Sequence, residues 1–472
     1  MTFNSLTFLL FFAAVVLLHR LPLPWTVKKF NLWVASCIFY AAWNPPFVVL
    51  LWIGTLVHYG AGRGIAAART PAGRRAWLLC SLVVGLGLLG FFKYAQFLLD
   101  NLTVLLAALH VAYHPGRLDI LLPVGVSFFT FQALSYTIDV YRGKLPACRK
   151  LLDLALYLSF FPVLASGPIL RAGHFLPQCA QPRQAGAREL GWGLTLFTIG
   201  LFEKVFLADG ILGPFADAVF HAAPVASWRD AWLGAFAYSA QLFFDFAGYS
   251  ASAIGVALCL GFAVPDNFRC PYAAIGFSDF WRRWHISLSS WLRDYLYFPL
   301  GGNRRGAGRT YLNLMLTMLL GGLWHGAAWR FVAWGGLHGL YLAAERPVRE
   351  RFGDRPWAAR WPVRLPAAFL TFCLVCVAWV FFRAPDFETA FAFVGKMLLG
   401  SANPSTIGGL RALTAATVIA AMFVGQWLLR DTPQEVLWRR LPWWLRSTVL
   451  AVLLGAVILA PGDERAFLYF QF

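Results

Sequence analysis

Apolar runs long enough to lie in a bilayer recur along the chain, near residues 5–18, 31–43, 46–60, 77–99, 120–140, 152–170, 190–208, 231–263, 311–343, 365–382, 410–429 and 447–460. A spanning helix needs about 20 predominantly apolar residues, so these runs predict roughly ten to twelve membrane-embedded segments. The expected fold class is therefore an all-α polytopic integral membrane protein, organised as a single membrane domain over 1–472. Composition points the same way, since 59% of the 472 residues are apolar and 13% are charged. A soluble domain carries about 25% charged residues. Soluble multidomain, disordered, coiled-coil and disulfide-scaffold classes are excluded on these grounds.

The net charge of +18 would suggest nucleic-acid binding in a soluble chain. Here the basic residues cluster between apolar runs, so no nucleic-acid partner is expected and the contact is with membrane lipids. Lys and Arg accumulate in cytoplasmic loops, which places Arg69 to Arg75 and Arg346 to Arg360 inside. Ala222 to Asp230 and the terminal Phe472 then face outward. The first run, Leu6 to Leu18, has no basic residue before it and no small-x-small site after it, so it is not expected to be a cleaved signal peptide. Cys373 and Cys376 fall inside an apolar run, where helix packing outweighs redox chemistry.

Two stretches depart from this alternation. Residues 278–309 mix Asp279, Arg282, Arg283, Arg293 and Asp294 with Trp281, Trp284, Trp291, Tyr295 and Tyr297. That mixture predicts amphipathic helices at the cytoplasmic interface. Residues 311–343 have basic clusters on both sides and should enter and return. As one helix their 33 positions would run about 50 Å, and Gly321-Gly322 offers a break near the middle. Broken helices at membrane depth are tolerated where they face protein or a watery cavity. Together, 278–343 form the expected catalytic core segment.

Of nine histidines, His19, His58, His110, His114, His174 and His221 lie at segment ends or in connections and read as interfacial or solvated. His325, in Gly321-Gly322-Leu323-Trp324-His325-Gly326, is an ionisable group deep in an apolar run. Such groups are costly and usually face a cavity or a path; the alternative is a hydrogen bond between helices. His338, in Gly335-Gly336-Leu337-His338-Gly339, reads as structural. His285 sits among cations, hydroxyls and indoles, either gripping a polyanionic donor or anchoring the helix at the interface. No Gly-rich phosphate loop, paired-carboxylate motif or His-Glu-x-x-His is present, and no metal ligand set is expected. Neither is there an internal repeat of the kind that marks inverted-repeat transporters.

The run from Ser278 to Gly302, with Phe280-Trp281-Arg282-Arg283-Trp284-His285-Ile286-Ser287 and Trp291-Leu292-Arg293-Asp294-Tyr295-Leu296-Tyr297, resembles the membrane-bound O-acyltransferase family. Asn313 to His325 resembles that family's second hallmark. Phe91-Phe92-Lys93-Tyr94, Leu122 to Phe128, Ile138 to Gly143 and Phe467 to Phe472 extend the likeness over nearly the whole chain. Within the family the chain is most similar to the branch serving alginate O-acetylation, with teichoic-acid D-alanyl transfer proteins more distant. It departs from that branch at Ala247 and Ala251, where Ser and Asp are usual, and at Ser166, where Ala is usual.

The resemblance implies a fold with re-entrant segments and a central funnel in a bacterial inner membrane. It implies acyl transfer from acetyl-coenzyme A, a donor substrate rather than a permanently bound cofactor, for O-acetylation of an exopolysaccharide. It implies His325 as the catalytic histidine and His285 as a second functional histidine. Trp284, Ser287, Arg282, Arg283, Asp294 and Trp324 are candidates to line the donor site or funnel. Periplasmic SGNH-like acetyltransferase subunits and other polysaccharide-modification proteins are the implied partners. The same chemistry on cellulose, peptidoglycan or teichoic acid, or a non-enzymatic transporter or flippase of an acyl donor or glycan precursor, are the alternatives.

Overall fold

The computed structural model describes residues 1–472 apart from 223–226, 354, 401–402, 406, 461–464, 466 and 469–472. Phe472, expected to face outward, and part of the 222–230 connection therefore lie outside the described residues. All regular structure among the described residues is helical. Among the described residues, five helices are long and apolar enough to cross a membrane: Pro45–Ala67, Pro71–Ala108, Trp228–Cys259, Trp361–Arg383 and Gly409–Leu428. Leu6–Arg20 and Trp443–Leu459 are shorter apolar helices. Most of the run at 231–263, too long for one upright span, lies in a single helix of 32 residues, Trp228–Cys259. At 1.5 Å per residue that is about 48 Å, so it must tilt or emerge from the hydrocarbon.

The chain divides into two compact units, residues 1–194 with 253–265, and residues 195–252 with 266–472. In the first unit, small residues let helices approach closely, as they do in membranes generally. A Cβ on Gly62 would collide with the Tyr136 ring, and one on Gly64 with Trp77. Lys29 is buried and paired with Asp153, and its Nζ also donates to the Cys179 carbonyl at 3.2 Å. Two histidines read as solvated are buried here instead. His19 is 4% exposed because its Nε2 bonds the Arg183 carbonyl at 2.9 Å, and His58 is 2% exposed where its helix packs on Gly85.

The second unit contains both hallmark stretches. Phe277–Arg283 and Ile286–Leu292 are short helices of seven residues each. The first is pinned at its start by Glu345, whose Oε2 accepts the Phe277 and Ser278 N–H groups at 2.6 and 2.8 Å. Asp279 accepts from Arg283 at 2.8 Å and from Arg430 at 2.6 Å. Burial would raise the Asp279 carboxyl, but the Ile275 N–H and these two guanidiniums outweigh it and hold it below the ordinary carboxylate range. Ala307–His325 and Trp329–Phe352 form the expected pair of limbs.

The break between those limbs is not at Gly321-Gly322. Both glycines lie inside the first helix, which ends at His325, and the chain turns through extended Gly326 and Ala328. The glycines serve packing: a Cβ on Gly322 would collide with the Phe331 carbonyl, and one on Gly335 with the Met318 carbonyl. Gly322 and Gly335 thus allow the two backbones to touch, so the turn falls a few residues later. Cys373 and Cys376 are free thiols within Trp361–Arg383, and Cys376 is fully buried among apolar side chains.

Candidate active site

His325 is the last residue of its helix and 4% exposed. Its ring meets Trp324 at 5.0 Å, Trp334 edge-on at 5.1 Å and Phe382 at 5.5 Å between centroids. Trp334 comes from the returning limb and Phe382 from Trp361–Arg383, so three helices enclose the imidazole. Phe331 packs edge-on against Phe382 at 4.8 Å. An imidazole among indole and phenyl rings is shielded from bulk water, which suits a base handling an acyl group that water would hydrolyse.

His285 approaches the same indole from the other direction, with its ring 6.2 Å from Trp324. It joins the two short helices in a left-handed conformation, φ +42°, which is uncommon for a residue bearing a side chain. The surroundings hold it there. Asn267 stands at the centre: its carbonyl oxygen faces His285 Nδ1 at 3.1 Å and accepts from Ser287 Oγ at 2.9 Å. Its amide nitrogen donates to Ser250 Oγ at 3.1 Å, and its backbone carbonyl accepts the Ile286 N–H at 2.9 Å. An accepting oxygen at Nδ1 assigns the ring proton there and leaves Nε2 as the basic nitrogen. Phe246 caps the ring edge-on at 4.7 Å.

The remaining candidates divide. Ser287 and Trp324 lie beside the histidines, both about 5% exposed. Trp284 is fully buried, among Phe280, Phe268, Tyr272 and Trp379, and is a core residue. Arg283 is committed to Asp279 and to the Arg430 carbonyl, whereas Arg282 is exposed. Asp294 pairs with its neighbour Arg293 at 2.9 Å.

Asn267, Ser250, Phe246 and Phe382 escape sequence reasoning. Asn267 lies 18 residues before His285 in a Pro265-Asp266-Asn267 turn that reads as an ordinary connection. Its only signal is a buried, bonded amide, which no spacing reveals.

Comparison with known proteins places the chain. A model of the membrane-bound O-acyltransferase family matches residues 144–384. The probable alginate O-acetylase AlgI of Pseudomonas putida is 40% identical over the whole of both chains. Its namesake from Azotobacter vinelandii is 45% identical over 84% of this chain and 78% of its own. The peptidoglycan O-acetyltransferase of Helicobacter pylori is 34% identical over 94% of this chain and 91% of its own.

Proposed function

The chain belongs to the membrane-bound O-acyltransferase family and is an acyltransferase, and from that premise we propose that it takes acetyl from a cytoplasmic thioester, acetyl-coenzyme A. It delivers that group across the bacterial inner membrane for O-acetylation of an exopolysaccharide, alginate or an alginate-like polymer. Relatives named for alginate O-acetylation, at 40% and 45% identity, support the acceptor class. The observation that carries the chemistry is His325 itself, a buried imidazole at a helix end inside a cage of aromatic rings.

In this reading His325 takes the proton of the attacking hydroxyl as the oxygen–carbonyl bond forms and the carbon–sulfur bond breaks. A positioned base contributes about 10²–10⁴ in rate. His285, pinned by Asn267 across Trp324, orients the reacting groups through its Nε2. The interfacial helices, with Arg282 exposed among them, meet the donor's phosphates from the cytoplasmic side. Periplasmic SGNH-like subunits receive the acetyl group and pass it to the polymer.

The test is acetyl transfer in membranes carrying the chain with its partner subunits. His325→Ala should accumulate normally and lose about 10²-fold or more in acetyl ester formed on the polymer. Retained transfer would remove His325 from the chemistry. Acetyl ester on a neutral glucan, but not on a polyuronate, would overturn the acceptor class.

A further inference from the structure

His338 has no task in the reaction described above, yet it is as fully enclosed as His285 and more so than His325. It is fully buried, and neither ring nitrogen has a hydrogen-bond partner among the described residues. The helix-to-helix hydrogen bond expected of a structural histidine is therefore missing. Three indoles surround it, Trp334 at 4.8 Å, Trp281 at 5.1 Å and Trp379 at 6.3 Å. Each of these also buries an Nε1–H with no partner among the described residues. Phe280, stacked at 5.8 Å, and Tyr341, edge-on at 5.8 Å, complete the cage. None of these side chains carries a charge.

Five buried nitrogens without partners among the described residues, on His338 and the three indoles packed around it, call for an explanation, because the large majority of buried polar side-chain atoms are bonded to protein or to ordered water. A packing site alone would be filled as well by phenylalanine, without the cost of an unbonded imidazole. A set of three N–H donors plus an imidazole, which both donates and accepts, is what one or two buried waters need as partners. The cage also has a position. On one side it includes Trp281 of the interfacial helix; on the other, Trp334 is shared with His325, whose ring lies 5.1 Å from the same indole.

Resting on the acyl-transfer reading above, we propose that His338, with Trp281, Trp334 and Trp379, holds buried water and carries the proton from His325 to the departing thiolate. If the acceptor and the thioester reach the site from opposite faces of the membrane, the base and the leaving group are on different sides of it. The acceptor's proton passes to His325 as the new carbon–oxygen bond forms. It then moves through the water to His338 and on to the thiolate released when the carbon–sulfur bond breaks. Both imidazoles return to neutral, the thiol leaves protonated, and no net proton is taken up.

The experiment compares wild type, His325→Ala, His338→Phe and His338→Gln in one membrane preparation with acetyl-coenzyme A, measuring kcat, KM for the donor and the solvent deuterium isotope effect. His338→Phe fills the cage with an apolar ring and should accumulate normally. Its kcat should fall by about 10²-fold, with little change in KM and a larger solvent isotope effect. His338→Gln, which bonds water but carries no proton, should lose as much, and it serves if the Phe variant does not accumulate. Wild-type kcat and isotope effect in either variant, beside an inactive His325→Ala, would overturn the proposal and leave the acyl-transfer reading standing. So would a raised KM with unchanged kcat, since the cage would then hold the donor itself. An active His325→Ala would remove the base, and this proposal with it.

Discussion

The two hallmark histidines have different surroundings. His285 is fixed by hydrogen bonds: Asn267 grips its Nδ1, Ser287 shares the same oxygen, and Ser250 steadies the amide. Around His325 stand the rings of Trp324, Trp334 and Phe382. The bonded ring has one assigned tautomer and a fixed direction, as a group that orients others requires. The His325 ring, too, is shielded from bulk water, at the end of its helix. The difference teaches that similar burial, 0% and 4% exposed, can come with quite different neighbours.

The comparison breaks most severely if the hairpin beneath His325 is pushed apart. Gly322→Val would drive its side chain into the Phe331 carbonyl and the Gly335 backbone. Overpacking of this kind costs about 1–3 kcal/mol even where the neighbours can yield, and backbone atoms yield least. The expected outcome is little folded protein in the membrane, read by protease resistance and thermal melting. Gly336→Ala on the returning limb, where a Cβ would make only ordinary contact with Leu319, should melt like wild type.

A smaller effect separates the two surroundings. Asn267→Ala strips the cradle from His285 and leaves buried partners unsatisfied, at about 1–3 kcal/mol. Acetyl transfer should fall further than this stability loss explains, because the imidazole on its left-handed backbone is no longer held. The cage around His325 is built from Trp324, Trp334 and Phe382 rather than from Asn267, so alkylation of His325 by a membrane-permeant reagent should be unaltered. Equal changes at both histidines would show that they are one site with one support.

The smallest effect concerns the clamp on Phe277–Arg283. The Asp279 carboxyl is lowered by its Ile275, Arg283 and Arg430 contacts, so its folded pKa lies below the unfolded value of about 3.9. Its contribution is complete above that value and is lost as pH falls through the lowered folded one. Melting of the purified chain should weaken on acidification below about pH 4, and Asp279→Asn should flatten that acid limb while reducing stability at neutral pH.

Much of this site is legible in the sequence, for physical reasons. An ionisable group in an apolar stretch is conspicuous because burial is expensive, so His325 is visible as a candidate in the chain alone, beside Arg330 and His338 of the same run. The aromatic-basic mixture of 278–309 likewise excludes both hydrocarbon and a free loop, and Phe277–Arg283 and Ile286–Leu292 are short helices there. The turn between the two limbs is misplaced because glycine has two uses. At Gly321-Gly322 it signals close approach, and the chain bends only at Gly326 to Ala328. Asn267 is invisible because its partner is remote in sequence. His19 and His58 mislead because position at a segment end says nothing about which neighbour covers them.

The central claim is that His325 exchanges a proton during acyl transfer rather than bracing the helices, and His325→Gln tests it most directly. Glutamine keeps a hydrogen-bonding side chain of similar reach but has no proton to exchange near neutral pH. Donor consumption and polymer-bound acetyl ester are measured together, at matched amounts of folded protein in the membrane. The account predicts a loss of about 10²-fold or more in both, with melting close to wild type. Substantial acetylation by the Gln variant would contradict it and return His325 to a structural role.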